Sequence, residues 1–183
     1  MTLSRRIAAP LVAALAVGYL VVMVVSGALP VQRQLVAFEA KGVLTAQPER
    51  IRRIELGRGP DNVVLLRRGE ESWATAGGAE LDGEAGKRIS AAVRMMHNSG
   101  PARVIPPGEL EAAAPAAFGL DAPRVIAKLY ESGADPVLTV HFGDRNPDGF
   151  LQYMRIEGDD RLYLMSRFIG EAWTGALDES LRR

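Results

Sequence analysis

Asp144-Arg145-Asn146-Pro147-Asp148-Gly149 is the sharpest chemical pattern in the chain, with side-chain oxygens at alternate positions ahead of a glycine. Calcium loops open this way, because alternate oxygens converge on one ion and the glycine permits the sharp turn. The twelfth place of such a loop needs a bidentate glutamate, and Arg155 stands there instead. Asp, Asn, Pro and Gly together also make an ordinary hairpin turn, which is the expectation for this segment. His97 and His141 are the two histidines, one expected at a helix end and one on a strand, and neither has a metal-ligand partner at the spacing of a zinc site. Gly-x-Ser-x-Gly is absent, and Ser99-Gly100 falls at a helix terminus without a local base. Ala76-Gly77-Gly78 is not followed by Lys-Ser or Lys-Thr at P-loop spacing. Glu131, Asp135, Asp159 and Asp160 fall in expected turns rather than as a paired acid and base. No catalytic, cofactor-binding or metal-ligating residue is therefore expected, and no cofactor.

Two sets of residues could instead meet another molecule. Ala14 and Gly18 form a small-xxx-small pair, which lets a second helix approach closely. Phe168, Ile169 and Trp173 lie at helical spacing near the C-terminal end, and Phe168 and Trp173 are a candidate partner surface as well as a candidate core stripe.

The elements that position these residues begin with an apolar stretch. From Ile7 to Gln32 there is no Asp, Glu, Lys or Arg. At about 1.5 Å per helical residue, residues 7–29 have the length to cross roughly 30 Å of hydrocarbon, so a single transmembrane helix is expected there. Pro10 suits a first helical turn and Pro30 an end. Arg5 and Arg6 precede the run and Arg33 follows it, which by the positive-inside rule puts the N-terminus in the cytoplasm and everything after Arg33 outside. Ser26-Gly27-Ala28 leaves open a cleaved signal peptide, with a mature chain beginning at Leu29. The domain plan is then a cytoplasmic tip 1–6, the helix 7–29, a juxtamembrane stalk 30–49 and an extracytoplasmic domain 50–183.

Residues 34–183 carry 19 basic against 22 acidic residues, a net charge of −3, which gives no footprint for nucleic acid. With no cysteine, the domain must rely on an apolar core rather than disulfides. Its strand-like runs fall into two groups. Arg52 to Leu56, Val63 to Leu66 and Ser72 to Thr75 read as a three-stranded meander, followed by a helix capped by Asp82 whose apolar positions are Ala85, Ile89, Ala92, Val93 and Met96. Arg103 to Ile105 adds a short strand. After a Pro- and Ala-rich connection, Arg124 to Tyr130, Val137 to Phe142, Phe150 to Ile156 and Arg161 to Met165 read as four strands, followed by a helix capped by Ser166. An α+β fold is expected, with one transmembrane helix ahead of two repeated units of antiparallel strands plus a helix: repeat one 50–105, connection 106–122, repeat two 123–178.

Phe118-Gly119-Leu120-Asp121-Ala122-Pro123, the later Phe142-Gly143-Asp144, the Tyr153 strand, Arg161-Leu162-Tyr163-Leu164, the Trp73 strand ahead of an amphipathic helix and Arg103-Val104-Ile105 resemble the bacterial domain-of-unknown-function family 4340 over roughly residues 50–178. The resemblance implies a membrane-anchored extracytoplasmic domain, often encoded beside gliding-motility-type ABC transporter components, and implies no catalytic residues. Met154 and the proline-free segment after Trp73 depart from that pattern in packing detail.

The functional expectation is a non-catalytic accessory or scaffold subunit of an inner-membrane protein complex, whose partners are other membrane-protein subunits. The alternative is a periplasmic module that binds a small molecule, glycan or peptide between the two repeats, using Tyr130, Tyr153 or Tyr163.

Overall fold

Ile54 and Leu56 alternate with Arg53, Glu55 and Gly57, and Val125, Ala127 and Leu129 alternate with Ile126, Lys128 and Tyr130, so each strand presents one apolar face. A computed structural model describes residues 5–25, 40–81, 83–109 and 115–182. The chain divides into two units, Met1–Phe38 and Glu39–Arg183.

In the first unit, α1 runs Arg5–Val25, with Pro10 inside it. Its larger apolar side chains, among them Leu11, Leu15, Tyr19 and Val22, are 53–67% exposed. Among the described residues no helix is long and apolar enough to cross a membrane, which corrects the expected span 7–29. The described part of α1 opens on Arg5 and Arg6 and covers the expected span as far as Val25. Gly27, Pro30 and the stalk residues 31–39 lie outside the described residues.

The second unit is built on one sheet. Its strands are β1 (Arg53–Arg58), β2 (Asp61–Arg67), β3 (Trp73–Thr75), β4 (Glu80–Leu81), β5 (Arg103–Ile105), β6 (Val125–Tyr130), β7 (Leu138–Arg145), β8 (Leu151–Ile156) and β9 (Leu162–Ser166). Their order across the sheet is β4-β3-β2-β1-β6-β7-β8-β9-β5, with every neighbouring pair antiparallel. The two expected strand groups are present in sequence but not as two sheets. β1 and β6, the first strand of each group, pair along Ile54↔Leu129 and Leu56↔Ala127 and fuse the groups edge to edge. The expected pair of separate sheet-plus-helix units is therefore corrected to a single nine-stranded sheet. Fusion has a simple cause: each meander leaves its first strand with unpaired N–H and C=O groups, and pairing those two edges removes both. Strand β5 leaves its own group and closes the far edge beside β9 through Val104↔Tyr163.

α2 (Gly83–Asn98) and α3 (Arg167–Leu181) both cover the same face of this sheet. Ile89, Ala92, Val93 and Met96 from α2 and Ile169, Trp173, Ala176 and Leu177 from α3 join Ile54, Leu65, Trp73, Val140, Phe142 and Met154 in one core. Gly86 allows α2 to sit hard against the β2–β3 connection and the end of β4, because a Cβ there would collide with the Glu71 and Leu81 carbonyl oxygens. Asp82, the expected α2 cap, lies outside the described residues, and Ser166 occupies the N-cap of α3 without a side-chain capping bond. On the opposite face, Phe118 tilts against Tyr153 with ring centroids 4.8 Å apart.

Candidate functional site

The Asp144–Gly149 segment forms the β7–β8 turn. Asn146 closes it at both ends: its N–H donates to the Leu151 carbonyl at 2.8 Å, and its Oδ1 accepts from the Leu151 N–H at 2.9 Å. Gly149 adopts a φ of +74°, the left-handed geometry that favours glycine. The Asp144 carboxylate accepts two bonds from the Arg124 guanidinium, at 2.8 and 3.0 Å. The side-chain oxygens of Asp144 and Asn146 thus serve an ion pair and the turn. Among the described residues no group of three His, Cys, Asp or Glu is placed to hold a metal.

The other sequence candidates are dispersed. The imidazole of His97 contacts the Leu44 carbonyl at 2.9 Å and ties the chain before β1 to the end of α2. His141 sits between Lys128 of β6 and Arg155 of β8; burial, together with those two cations, lowers its pKa, while Glu157 at 3.9 Å opposes the shift. Tyr130 donates to Glu55 at 2.9 Å. Tyr163 lies on the core face and donates to Asp159 at 2.6 Å, so burial and that carboxylate push its phenol up to about 12. Arg161 and Tyr163 in turn hold the Asp159 carboxyl well below the usual carboxylate range. Tyr130 and Tyr153 are on the face opposite Tyr163, so the three tyrosines do not line a common cleft. Ala14 and Gly18 lie on α1, where a Cβ added to Gly18 would meet nothing within 4 Å.

Phe168 and Trp173 separate. Trp173 is wholly buried against the sheet, whereas Phe168 is 62% exposed at the start of α3. Beside it stands a residue the sequence reading passed over: Phe150 is 72% exposed, and its carbonyl accepts the Arg167 N–H at 3.2 Å. The fold also assembles four arginines from four parts of the chain around Glu171 and Asp178. Arg58 of β1, Arg124 before β6 and Arg145 of β7 line a cleft of about 390 Å³ with Gln152, Glu171, Thr174 and Asp178. Arg145 meets Glu171 at 2.6 Å, and Arg167 lies 4.0 Å from the same carboxylate with its guanidinium 5.1 Å from the Phe168 ring centre. Arg58 pairs with Asp178 at 2.9 Å. The Arg167 Nε is buried with no hydrogen-bond acceptor. No local spacing signals this cluster, because the arginines come from separate strands and a helix.

Comparison with protein-family models, with curated proteins and with solved structures yields no match for this chain.

Proposed function

We propose that the protein is a non-catalytic accessory or scaffold subunit of a protein complex at the bacterial inner membrane, with the Glu39–Arg183 unit acting as its interaction domain on the periplasmic side. One observation carries this reading: nine large apolar side chains of α1 between Leu11 and Val24 stand 53–67% exposed. A helix that is apolar all round needs an apolar environment to bury it, and helices of a larger membrane assembly supply one. The small residues Ala14 and Gly18 leave a strip where such a helix can approach. The resemblance of residues 50–178 to family 4340 points the same way.

Replacing Tyr19 by a photoreactive phenylalanine analogue tests this in cells, since Tyr19 is 65% exposed on α1. Irradiation is expected to give a reproducible adduct with one or a few membrane-protein subunits. Adducts with lipid alone, or none, would overturn the reading.

A further inference from the structure

We propose that His141 and Glu157 form an acid-operated latch: when the imidazole takes up a proton, it draws the Glu157 carboxylate onto its Nε2 and fastens the β8–β9 turn to the sheet face opposite the helices. This goes beyond the accessory-subunit reading and does not depend on it.

Alternation along β7 places the histidine. Val140 and Phe142 enter the core beneath the helices, so His141 points to the other face. There its side chain is only 16% exposed, and its Nε2 is buried without a hydrogen-bond partner. A buried polar atom left unpaired costs stability, so this nitrogen gains from a partner that reaches it. Glu157 is the residue within reach. Its Oε2 stands 3.9 Å away, too far for a hydrogen bond, and its side chain is 66% exposed. The backbone already holds the two residues side by side, since the Glu157 N–H donates to the carbonyl of Thr139, on the same strand as His141, at 3.0 Å. Closing the gap takes rotation of one long side chain, with no strand displaced.

The charges around His141 decide when the latch closes. Arg155 of β8 lies directly across from it, Lys128 of β6 lies on the diagonal, and Glu55 of β1 faces Lys128. Glu55 is engaged by Arg53 and by the Tyr130 hydroxyl, and Asp159 by Arg161 and Tyr163. The short helical turn Pro115–Phe118, which also touches β7, carries no charged residue. Glu157 is thus the carboxylate that can answer a charge on His141. Burial and the two cations keep the ring neutral at neutral pH, where it has no charge to hold an exposed, freely rotating side chain. Protonation puts a hydrogen on both ring nitrogens, and the charge-assisted bond from Nε2–H to the carboxylate opposes the repulsion from Lys128 and Arg155. The moving side chain is part of the wall of two cavities, one of about 270 Å³ beside Phe118 and Arg155 and one of about 400 Å³ beside Lys128 and Tyr130. Acid would withdraw a free carboxylate from both.

Isotope-labelled full-length protein in detergent, titrated by NMR from about pH 8 to about pH 5, tests the latch through the His141 ring, the Glu157 carboxyl carbon and the Gly158 amide. His141→Gln assigns the ring signal against that of His97. In the unaltered protein the three signals should move together with one midpoint. Glu157→Gln should lower the His141 midpoint, because the carboxylate that favours the charged ring is gone, and should remove the movement at Gly158. Arg155→Gln should raise the midpoint, because a repelling cation is gone. Unchanged melting temperatures at pH 8 confirm that both variants fold. A His141 midpoint indifferent to Glu157→Gln would overturn the proposal. So would a Glu157 carboxyl or Gly158 amide that stays still while His141 titrates.

Discussion

At the scale of single residues, the two aromatics on α3 have opposite roles and opposite expected costs. Trp173 is fully enclosed by the core, so Trp173→Ala should cost about 3–5 kcal/mol in urea unfolding through lost packing and a cavity. Phe168→Ala removes an exposed ring and should change stability by less than about 0.5 kcal/mol. The helical spacing of Phe168, Ile169 and Trp173 marked the stripe, but spacing alone places a residue at the margin of a buried face as readily as in its centre. Phe168 occupies that margin. His141 gives a pH signature. Burial and the neighbouring Lys128 and Arg155 lower its folded pKa below the ordinary 6.5, against the opposing pull of Glu157, so the unfolded chain takes up its proton first. The resulting stabilisation is complete above the unfolded value and is lost as pH falls below it. His141→Gln should flatten that part of the stability profile, measured by denaturant midpoint from pH 8 down to about 5. The acid response of Asp159 is separate, because its carboxyl is held below the ordinary range and titrates below about pH 4.

At the scale of elements, strand and helix positions were largely readable because alternation and helical spacing are local signals. Val63 to Leu66, Trp73 to Thr75 and Leu162 to Met165 fall within strands, and α2 carries the expected buried face. Strand β4 was not read, since Glu80 and Leu81 are too short a run to alternate visibly and pair only because the turn after Thr75 returns the chain onto Trp73. The turn reading of Asp144–Gly149 rested on Arg155 in place of a glutamate, and the bonds between Asn146 and Leu151 supply its geometry. Close approach of elements is equally silent in sequence. Gly86 looks like a weak point in a helix, yet it is where α2 meets the backbone at Glu71 and Leu81. Gly86→Ala, a change that would ordinarily favour an exposed helix, should destabilise the protein by about 1–3 kcal/mol, read as a lower thermal midpoint. A stabilised variant would mean that α2 sits away from Glu71 and Leu81.

At the scale of the whole molecule, the repetition of strands followed by a helix was legible, but the joining of the groups was not. Pairing of Ile54 with Leu129 connects residues far apart in the chain, and no local pattern distinguishes two small sheets from one large one. The span expected over residues 7–29 rested on composition, and among the described residues no helix is long and apolar enough to cross a membrane. One sheet under one core predicts one cooperative unit: residues from both strand groups should unfold in a single transition, followed by Trp73 and Trp173 fluorescence in single-tryptophan variants with Phe at the other site. Two separated midpoints would show that the groups fold independently. The functional account depends on α1 being covered by other protein. Its most direct test is the native mass of the full-length chain extracted from its own cells in mild detergent: a discrete heteromeric particle is predicted, and recovery of the chain only as a free monomer would contradict it.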